Sequence, residues 1–362
     1  MIHRLERVKP DGRRMTFYGR VPLDPKLQAP SPFAEPLSGA AHLRWHPLRG
    51  EWVTYAAHRQ GRTFLPPPQY NPLAPMSDPA NPTEVPQGVW DMAVFENRFP
   101  SLGGVMAPPP ELIVPTGPAS GRCEVVVFTQ DADASLGALP LDRIAMLFEV
   151  LGDRTLRLGA EDAIEYVFPF ENRGAECGVT LHHPHGQIYA YPLVPPVPAR
   201  MQQLAKEHFS KQGRGLLEQH IEAERKDAVR MLYEGEHAVA FVPACARYPY
   251  EVWVAPIRPA QGFAALSDPE RADLARALKT VLRKYDRLWD RPFPYLMAWY
   301  QAPTDGAAHP ESHLHAQLWP PYRTRDRLKF LAGTELGAGF FAMDVLPEDK
   351  ARELQQVDAG VL

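Results

Sequence analysis

The stretch His183-Pro184-His185-Gly186-Gln187 decides the fold, because it returns 130 residues further along the chain as His313-Leu314-His315-Ala316-Gln317. Each copy follows a segment of helical periodicity and then a short segment rich in β-branched and aromatic residues. One motif alone is weak, but the matching order around both copies indicates an internal duplication. We therefore predict an α+β fold of two half-units, each with an antiparallel sheet and a packed helix.

The segments around the two copies match element by element. Before the first copy we predict strands at residues 51–55 and 124–128, a helix at 141–158 and a strand at 164–168. Before the second copy we predict strands at 236–243 and 251–255, a helix beginning at Ser267-Asp268-Pro269, and a strand at 295–299. Residues 198–233 have a helical pattern and link the two halves, which we place at residues 1–195 and 196–362.

Composition and charge exclude several classes of protein. The 362 residues carry a net charge of −4, which gives no strong field to attract nucleic acid or an anionic membrane. No apolar run approaches the roughly 18 residues of a membrane-spanning helix, and the N-terminus has no signal-peptide core. The cysteines, Cys123, Cys177 and Cys245, are too few and too scattered for a disulfide framework. We therefore expect a cytoplasmic protein that binds neither nucleic acid nor membranes.

Proline is abundant, with 40 residues in the chain, and many of them precede residue 120. Such segments form either ordered loops around a sheet or disordered chain. Interleaved aromatic residues such as Trp52, Tyr55, Trp90 and Phe95 favour ordered loops, because their side chains can anchor the backbone.

The chemistry of the first motif suits transfer of a nucleotidyl group. If the motif lies on a strand, His183 and His185 point to one face and Gln187 extends that row. A neutral imidazole is largely available at pH 7 and can attack phosphorus to form a phosphoramidate. Gly178 and Gly186 would allow close approach of a ligand to the backbone. Alternating histidines also occur as metal ligands or as hydrogen-bonded core residues, and the two histidines alone do not separate these interpretations.

Five stretches, in order along the chain, resemble the galactose-1-phosphate uridylyltransferase family. Phe170-Glu171-Asn172-Arg173-Gly174 together with His183-Pro184-His185-Gly186-Gln187 resembles the family's active-site region. Arg59-Gln60-Gly61-Arg62 resembles its early arginine pair, and Phe95-Glu96-Asn97-Arg98-Phe99 resembles a nucleotide-contacting stretch. Leu328-Lys329-Phe330-Leu331-Ala332-Gly333-Thr334-Glu335 resembles its sugar-contacting loop. The family belongs to the histidine triad superfamily, so the resemblance implies a duplicated histidine-triad-like unit.

The resemblance also implies a reaction and a role for each site residue. UDP-glucose and galactose 1-phosphate would exchange a uridylyl group by a ping-pong mechanism through a covalent intermediate on His185. Gln187 would bind a phosphoryl oxygen, and the backbone of His183 would orient the His185 ring. The residues implied to bind the nucleotide and its phosphates are Arg59, Arg62, Phe95, Asn97, Val125, Asn172, Gly178 and Thr180. The residues implied to reach the hexose, from the partner subunit of a homodimer, are Lys329, Phe330, Gly333 and Glu335.

The sequence departs from the family at its metal sites. Many members hold zinc with a Cys-x-x-Cys pair, a later histidine and the first histidine of the motif. The corresponding residues here are Asn71, Ala74, Ala132 and His183. A second family site uses a glutamate and three histidines, and the corresponding residues are Met201, Tyr300, His315 and Gln317. Each set retains one ligand of four, so we expect no metal and no other cofactor. A replacement site that uses His182, His309 or His313 remains an alternative.

Two other functions stay compatible with the sequence. The first is a related phosphorylase or adenylyltransferase that acts on ADP-glucose or a dinucleoside polyphosphate. The second is a non-catalytic nucleotide-binding protein, against which the retention of His185 and Gln187 argues. The sequence does not determine which hexose 1-phosphate or which base is preferred.

Overall fold

The structure is a computed structural model that describes residues 2–37, 39–61, 66, 70–105 and 107–362. Its strands are β1 His3–Val8, β2 Arg14–Gly19, β3 His42–His46, β4 Glu51–Tyr55, β5 Met92–Glu96, β6 Thr116–Pro118, β7 Arg122–Val127, β8 Tyr166–Arg173, β9 His185–Tyr191, β10 Met231–Glu234, β11 Ala238–Phe241, β12 Val252–Pro256, β13 Tyr295–Tyr300, β14 His315–Trp319, β15 Tyr322–Thr324 and β16 Arg327–Leu328. Its α-helices are α1 Leu141–Gly159, α2 Pro196–Gln212, α3 Leu216–Asp227, α4 Asp268–Leu288 and α5 Pro347–Gln356. Short helical turns lie at Ala57–Gly61, Leu136–Ala138, Ala175–Cys177, Phe263–Ala265 and Thr334–Ala338.

The main sheet shows the duplication directly. Its eleven strands follow the order β1-β2-β5-β7-β9-β8-β13-β14-β12-β11-β10. Outward from the central β8–β13 pair, β9, β7 and β5 on one side correspond to β14, β12 and β11 on the other. The predicted α+β fold with a duplicated unit is confirmed. The two half-sheets nevertheless form one continuous sheet, because β8 pairs antiparallel with β13.

Helices α1 and α4 cover one face of this sheet. Ile144, Leu147 and Phe148 of α1 are buried there together with Leu278 of α4. The Phe148 ring packs against Trp299 of β13, with ring centroids 5.3 Å apart. Each such apolar side chain contributes roughly 1.5–3 kcal/mol when it is fully buried. Because the helices occupy this face, ligands have access to the opposite face of β9 and β14.

Helix α4 begins where the sequence predicts. The Ser267 hydroxyl accepts from the backbone N–H of Glu270 at 3.4 Å, and the Glu270 carboxylate accepts from the N–H of Ser267 at 2.8 Å. This reciprocal capping, with Pro269 in the first turn, fixes the start of the helix. None of the helices in the described ranges has both the length and the apolar character needed to cross a membrane.

Two predicted elements differ in extent from the structure. The strand predicted at residues 164–168 is β8, which begins at Tyr166 and continues to Arg173, because pairing with β9 and β13 extends it. The helical segment predicted at 198–233 contains two helices and the strand β10. Helix α2 ends at Gln212 and is capped by Gly213, whose φ of 70° lies in the left-handed region that favours glycine. The other predicted boundaries agree with the structure to within two residues.

The described part of the proline-rich region consists of packed loops. Leu73, Val85 and Trp90 are buried in a second hydrophobic cluster with Phe17 and Phe95. The Trp90 indole also donates from Nε1 to the carbonyl of Pro86 at 3.0 Å. This anchoring supports the interpretation as ordered loops.

Candidate active site

His185 is the first residue of β9, and its ring lines a cavity of about 270 Å³. The ring donates from Nδ1 to the backbone carbonyl of His183 at 2.7 Å, the contact that the resemblance implies. This bond leaves Nε2 without a proton. Burial lowers the pKa of His185 below its usual 6.5, although the hydrogen bond to His183 opposes the shift. The ring is therefore neutral at pH 7, with a lone pair on Nε2.

Strand alternation places Gln187 in the same cavity as His185. Gly186, between them, faces the core, where an added Cβ would lie 2.8 Å from the Phe128 ring. The expectation that Gly186 lets a ligand approach the backbone is therefore wrong, since its small size serves the packing of the core. Gly178 does line the cavity, and its φ of 74° is a conformation that favours glycine.

The prediction that His183 and His185 aim at one site holds only in part: both residues line a cavity of about 550 Å³, but His183 does not line the cavity that His185 shares with Gln187. His183 precedes β9 and is buried outside the cavity that His185 and Gln187 line. Its Nε2 donates to the carbonyl of Thr129 at 2.8 Å, and its Nδ1 accepts from the Asn71 amide at 3.1 Å. Burial lowers the pKa of His183, which keeps this ring neutral. His183 thus contacts the reactive ring through its backbone carbonyl alone.

The residues at the family's zinc positions do not fit a metal. The Asn71 amide nitrogen lies against Nδ1 of His183, and the amide is held in this orientation because its Oδ1 accepts from the N–H of Leu73 at 3.0 Å. Ala74 and Ala132 have no side-chain donor atom. Across residues 2–37, 39–61, 66, 70–105 and 107–362, no three histidine, cysteine, aspartate or glutamate side chains form a group that could hold a metal ion.

The histidines considered as replacement ligands are already engaged or exposed. His309 lies 2.7 Å from Asp305 and 3.3 Å from Glu311. His313 donates from Nε2 to the carbonyl of Pro256 at 2.8 Å. His182 is exposed. The counterparts of the second family metal site do come together in one cavity, lined by Met201, Tyr300, His315 and Gln317.

Most of the residues implied to bind the nucleotide converge on the His185 cavity. They come from a helical turn, three different strands and the loop before β9, and they are Arg59, Phe95, Asn97, Val125, Asn172, Gly178 and Thr180. Arg59 donates to the carbonyl of Phe99, which fixes its guanidinium at the cavity wall. Arg62 lies outside the described residues.

This cavity is also lined by several residues that were not predicted from the sequence, namely Phe33, Tyr70, Glu84, Arg98 and Tyr189. The Arg98 guanidinium lies 4.5 Å from the centre of the Phe33 ring and donates to the carbonyl of Glu35 at 2.9 Å. Arg98 belongs to the stretch that resembles a nucleotide-contacting segment, so a signal for it was available. Tyr70 and Glu84 lie in proline-rich loops whose sequence shows no pattern that would place them.

A buried ion-pair cluster supports the wall of the cavity behind Phe95. Glu84 accepts from Lys9 and from Arg13, each at 2.8 Å, and Arg13 also donates to Asp11 at 2.8 Å. The Lys9 ammonium lies 4.7 Å from the centre of the Phe95 ring, within cation–π range. Both cations belong to the β1–β2 hairpin, which thereby fixes the positions of Glu84 and Phe95.

A larger cavity of about 550 Å³ lies on the other side of His185. His185 and Asn172 line both cavities. Ser135, His182 and Arg173 line the larger one, although Arg173 also donates to Asp286 at 2.7 Å. His185 therefore lies at the junction of two spaces that differ in their lining.

The C-terminal loop implied to contact the hexose does not line the His185 cavity of its own chain. The Lys329 ammonium donates to the carbonyl of Ala342 at 2.9 Å and lies 3.5 Å from Glu335. Phe330 is 74% exposed. Gly333, at the start of the adjoining helical turn, has open space around its Cα. The exposed ring leaves this loop free to contact another molecule.

Comparisons with known proteins find relatives along most of the chain. The profile described as "Galactose-1-phosphate uridyl transferase, N-terminal domain" matches residues 33–195, and its C-terminal counterpart matches residues 201–360. The galactose-1-phosphate uridylyltransferase of Thermotoga maritima is 38% identical over 327 residues, which cover 88% of this chain and 99% of the relative. The protein of the same name from Streptomyces lividans is 38% identical and covers 78% of this chain and 77% of its own length. A solved structure of a uridylyltransferase is 32% identical, with a TM-score of 0.77, and covers 87% of this chain and 98% of its own.

Proposed function

Because the chain belongs to the galactose-1-phosphate uridylyltransferase family and is therefore a transferase, we propose that it exchanges a uridylyl group between UDP-glucose and galactose 1-phosphate. The reaction would follow a ping-pong course through a covalent uridylyl group on His185. The observation that carries this proposal is the neutral His185 ring, held through Nδ1 by the His183 carbonyl, in a cavity that Arg59 and Arg98 line.

In the first step, Nε2 of His185 attacks the α-phosphorus of UDP-glucose. A phosphorus–nitrogen bond forms, and the bond from phosphorus to the bridging oxygen breaks with its electron pair leaving on glucose 1-phosphate. The departing phosphate is largely ionised at pH 7, since its second pKa is about 6, so it needs no general acid. The positive charge that develops on the ring is shared with the Nδ1–H···O contact to His183.

In the second step, a phosphate oxygen of galactose 1-phosphate attacks the same phosphorus. The phosphorus–nitrogen bond breaks, UDP-galactose forms, and His185 returns to its neutral state. Both steps need alignment and charge stabilisation more than proton transfer. Gln187 and Thr180 supply polar groups and Arg59 supplies a positive charge around the phosphorus.

The two cavities suggest how the substrates divide. The nucleotide would occupy the smaller cavity, where Phe95 and Asn97 form part of the wall, and the sugar phosphate would occupy the larger one. The loop of Lys329, Phe330, Gly333 and Glu335 would complete the hexose site from the partner subunit of a homodimer. The exposure of Phe330 supports this arrangement.

We further propose that the enzyme works without a metal or another cofactor, because an asparagine and two alanines stand where the family has zinc ligands. A cytoplasmic location agrees with three cysteines that form no disulfide in the described ranges.

The proposal is tested by mass spectrometry of the intact protein after incubation with UDP-glucose alone. We expect release of glucose 1-phosphate and an acid-labile uridylyl adduct on His185. The His185→Ala variant should form no adduct and show no turnover, whereas the matched variant of the second motif, His315→Ala, should retain both. A parallel incubation with ADP-glucose distinguishes the related adenylyl transfer. Full activity of His185→Ala, or an adduct with ADP-glucose only, would overturn the proposal.

A further inference from the structure

A further cavity, of about 290 Å³, is separate from the two cavities that His185 lines. It occupies the place in the C-terminal half that the cavity of His185 and Gln187 occupies in the N-terminal half. We call it the C-terminal cavity, and it is bounded by β12, β13, β14 and the helices α2 and α3. The backbone contacts of the two motifs are the same. His315 donates from Nδ1 to the carbonyl of His313 at 2.9 Å, and His313 donates from Nε2 to the carbonyl of Pro256 at 2.8 Å.

The chemistry of the C-terminal cavity differs from that of the first. Nε2 of His315 accepts from the Gln317 amide at 3.2 Å, so its lone pair is engaged. The Tyr300 ring stacks against His315 at a centroid distance of 5.2 Å. Burial lowers the pKa of His315 to about 4, which keeps the ring uncharged. These contacts argue against His315 as a second nucleophile.

The lining of the C-terminal cavity excludes a phosphate and favours a flat apolar ring. Of the described residues that line it, none is a lysine or an arginine, and Glu311 would repel an anion. Trp253 and Tyr300 provide aromatic surface on one side, and Leu204 and Leu217 provide aliphatic surface from the helices. A planar aromatic ligand would be in contact with both surfaces.

A buried acceptor on a residue that lines this cavity lacks a donor. His313 is 7% exposed, and its Nδ1 has no hydrogen-bond partner among the described residues. Leaving such a buried acceptor unpaired is unfavourable.

The first motif shows how the equivalent acceptor is satisfied. Nδ1 of His183 accepts from the amide of Asn71, a residue of the chain itself. At the equivalent position of the second motif, Nδ1 of His313 has no such donor among the residues that the structure describes. A ligand that carries an N–H group would supply it.

We propose that the C-terminal cavity binds an uncharged planar nitrogen heterocycle that donates at least one N–H hydrogen bond to His313. This site is separate from the uridylyl-transfer site and does not depend on the proposed reaction. A matched pair of probes, benzimidazole and 1-methylbenzimidazole, tests it at pH 8, where both are uncharged. The two probes differ only in that a methyl group replaces the N–H hydrogen, so 1-methylbenzimidazole cannot donate this hydrogen bond.

Calorimetric titration of the full-length protein should show saturable binding of benzimidazole at one site. The N-methyl analogue should bind about tenfold more weakly, the effect of about 1.4 kcal/mol expected for one buried hydrogen bond. In a sample with ¹⁵N-labelled histidine, the Nδ1 resonance of His313 should shift on addition of benzimidazole. Saturating UDP-glucose should not displace the probe.

Two tryptophan variants of helix α2 provide the structural control. Ala205 lines the C-terminal cavity, whereas Ala199 is exposed on the same helix. Ala205→Trp should fill the cavity and abolish binding, Ala199→Trp should bind normally, and both should retain uridylyl transfer. The proposal is overturned by absence of saturable binding, by equal affinity for the two probes, by competition with UDP-glucose, or by undiminished binding to Ala205→Trp.

Discussion

In the proposed reaction, two residues of β9, His185 and Gln187, have different tasks. His185 supplies the lone pair, and its other nitrogen is fixed by a 2.7 Å bond to the backbone. Gln187 lines the same cavity two residues further along the strand, where its amide would contact a phosphoryl oxygen. The proposed reaction therefore requires that the proton of the His185 ring stay on Nδ1 and that the Gln187 amide face the phosphorus.

We predict that Gln187→Ala lowers kcat by about 10²–10³-fold, the usual effect of one donor removed from a charged transition state. Binding of UDP-glucose should change little, because the donor acts mainly on charge that develops during transfer. Gln317→Ala, the equivalent change in the second motif, is the matched control and should leave kcat unchanged. Steady-state kinetics of both variants check this, and an unaltered kcat in Gln187→Ala would show that the amide has only a structural role.

The acid limb of the first half-reaction should reflect the lowered pKa of His185. The neutral ring is the nucleophile, and burial shifts its pKa below 6.5. As the pH falls, the single-turnover rate with UDP-glucose should therefore decrease, and the midpoint of this decrease should lie below pH 6.5. UDP-glucose has no ionisation in this range, so the titration belongs to the protein. Rapid-quench measurement of glucose 1-phosphate release gives this rate, and the melting temperature measured at each pH shows whether the protein stays folded. An acid limb with its midpoint above pH 6.5 would contradict the prediction.

At the scale of elements, the β1–β2 hairpin extends the sheet and stabilises the nucleotide side of the cavity. Arg13 is buried and contacts Asp11 and Glu84, whereas its neighbour Arg14 is 52% exposed and pairs with Glu96 and Glu161 at the surface. One hairpin thus presents a buried cation and an exposed cation side by side.

We expect Arg13→Met to lower the free energy of unfolding by about 3–5 kcal/mol, because buried Asp11 loses its cation and Glu84 keeps only Lys9. Arg14→Met is the matched control and should cost no more than about 1 kcal/mol. Arg13→Met should also raise the KM for UDP-glucose, since Glu84 and Phe95 line the cavity. Urea unfolding and steady-state kinetics of the two variants check this prediction. Equal stability and equal KM in Arg13→Met and Arg14→Met would refute a special role for the buried Arg13.

At the scale of the whole molecule, a two-fold dimer would place the Phe330 loop of one subunit at the His185 cavity of the other. His185→Ala and Phe330→Glu should each be inactive as homodimers. An equal mixture of the two chains should recover about a quarter of the wild-type activity, because half of the dimers are mixed and each has one intact site. If the loop served its own chain, the mixture would remain inactive. Activity measured after co-refolding decides between these outcomes.

The whole protein should also be indifferent to chelators. The Asn71 amide satisfies Nδ1 of His183, so hydrogen bonds stabilise the region in which the family resemblance led us to look for zinc ligands. Elemental analysis of protein purified without a metal-binding tag should show less than stoichiometric zinc and iron. Dialysis against a chelator should leave both activity and melting temperature unchanged. Near-stoichiometric metal, with both properties lost on its removal, would contradict this prediction.

The sequence by itself determined the repeated architecture. The periodicity of α1 and α4, the capping of α4 at Ser267 and the repeated histidine motif are local features, since they depend on residues close together in the chain. The predictions of these elements succeeded because they required no knowledge of distant contacts. The resemblance, rather than any local pattern, indicated the family and grouped Arg59, Asn97 and Asn172 in one site, where they line one cavity. The reaction itself stays a prediction.

Only the tertiary structure decided the contacts between distant segments. The two half-sheets join because β8 pairs with β13, and the His183 ring stays out of the cavity that His185 and Gln187 line because Thr129 and Asn71 hold it. Tyr70 and Glu84 reach the cavity on loops whose paths depend on packing against the sheet. The C-terminal cavity likewise exists only because helices α2 and α3 lie over the second half-sheet, and it is lined by His313, whose Nδ1 has no partner in the described part of the chain. Strand alternation predicts which face a side chain points to, but only packing determines what it meets there.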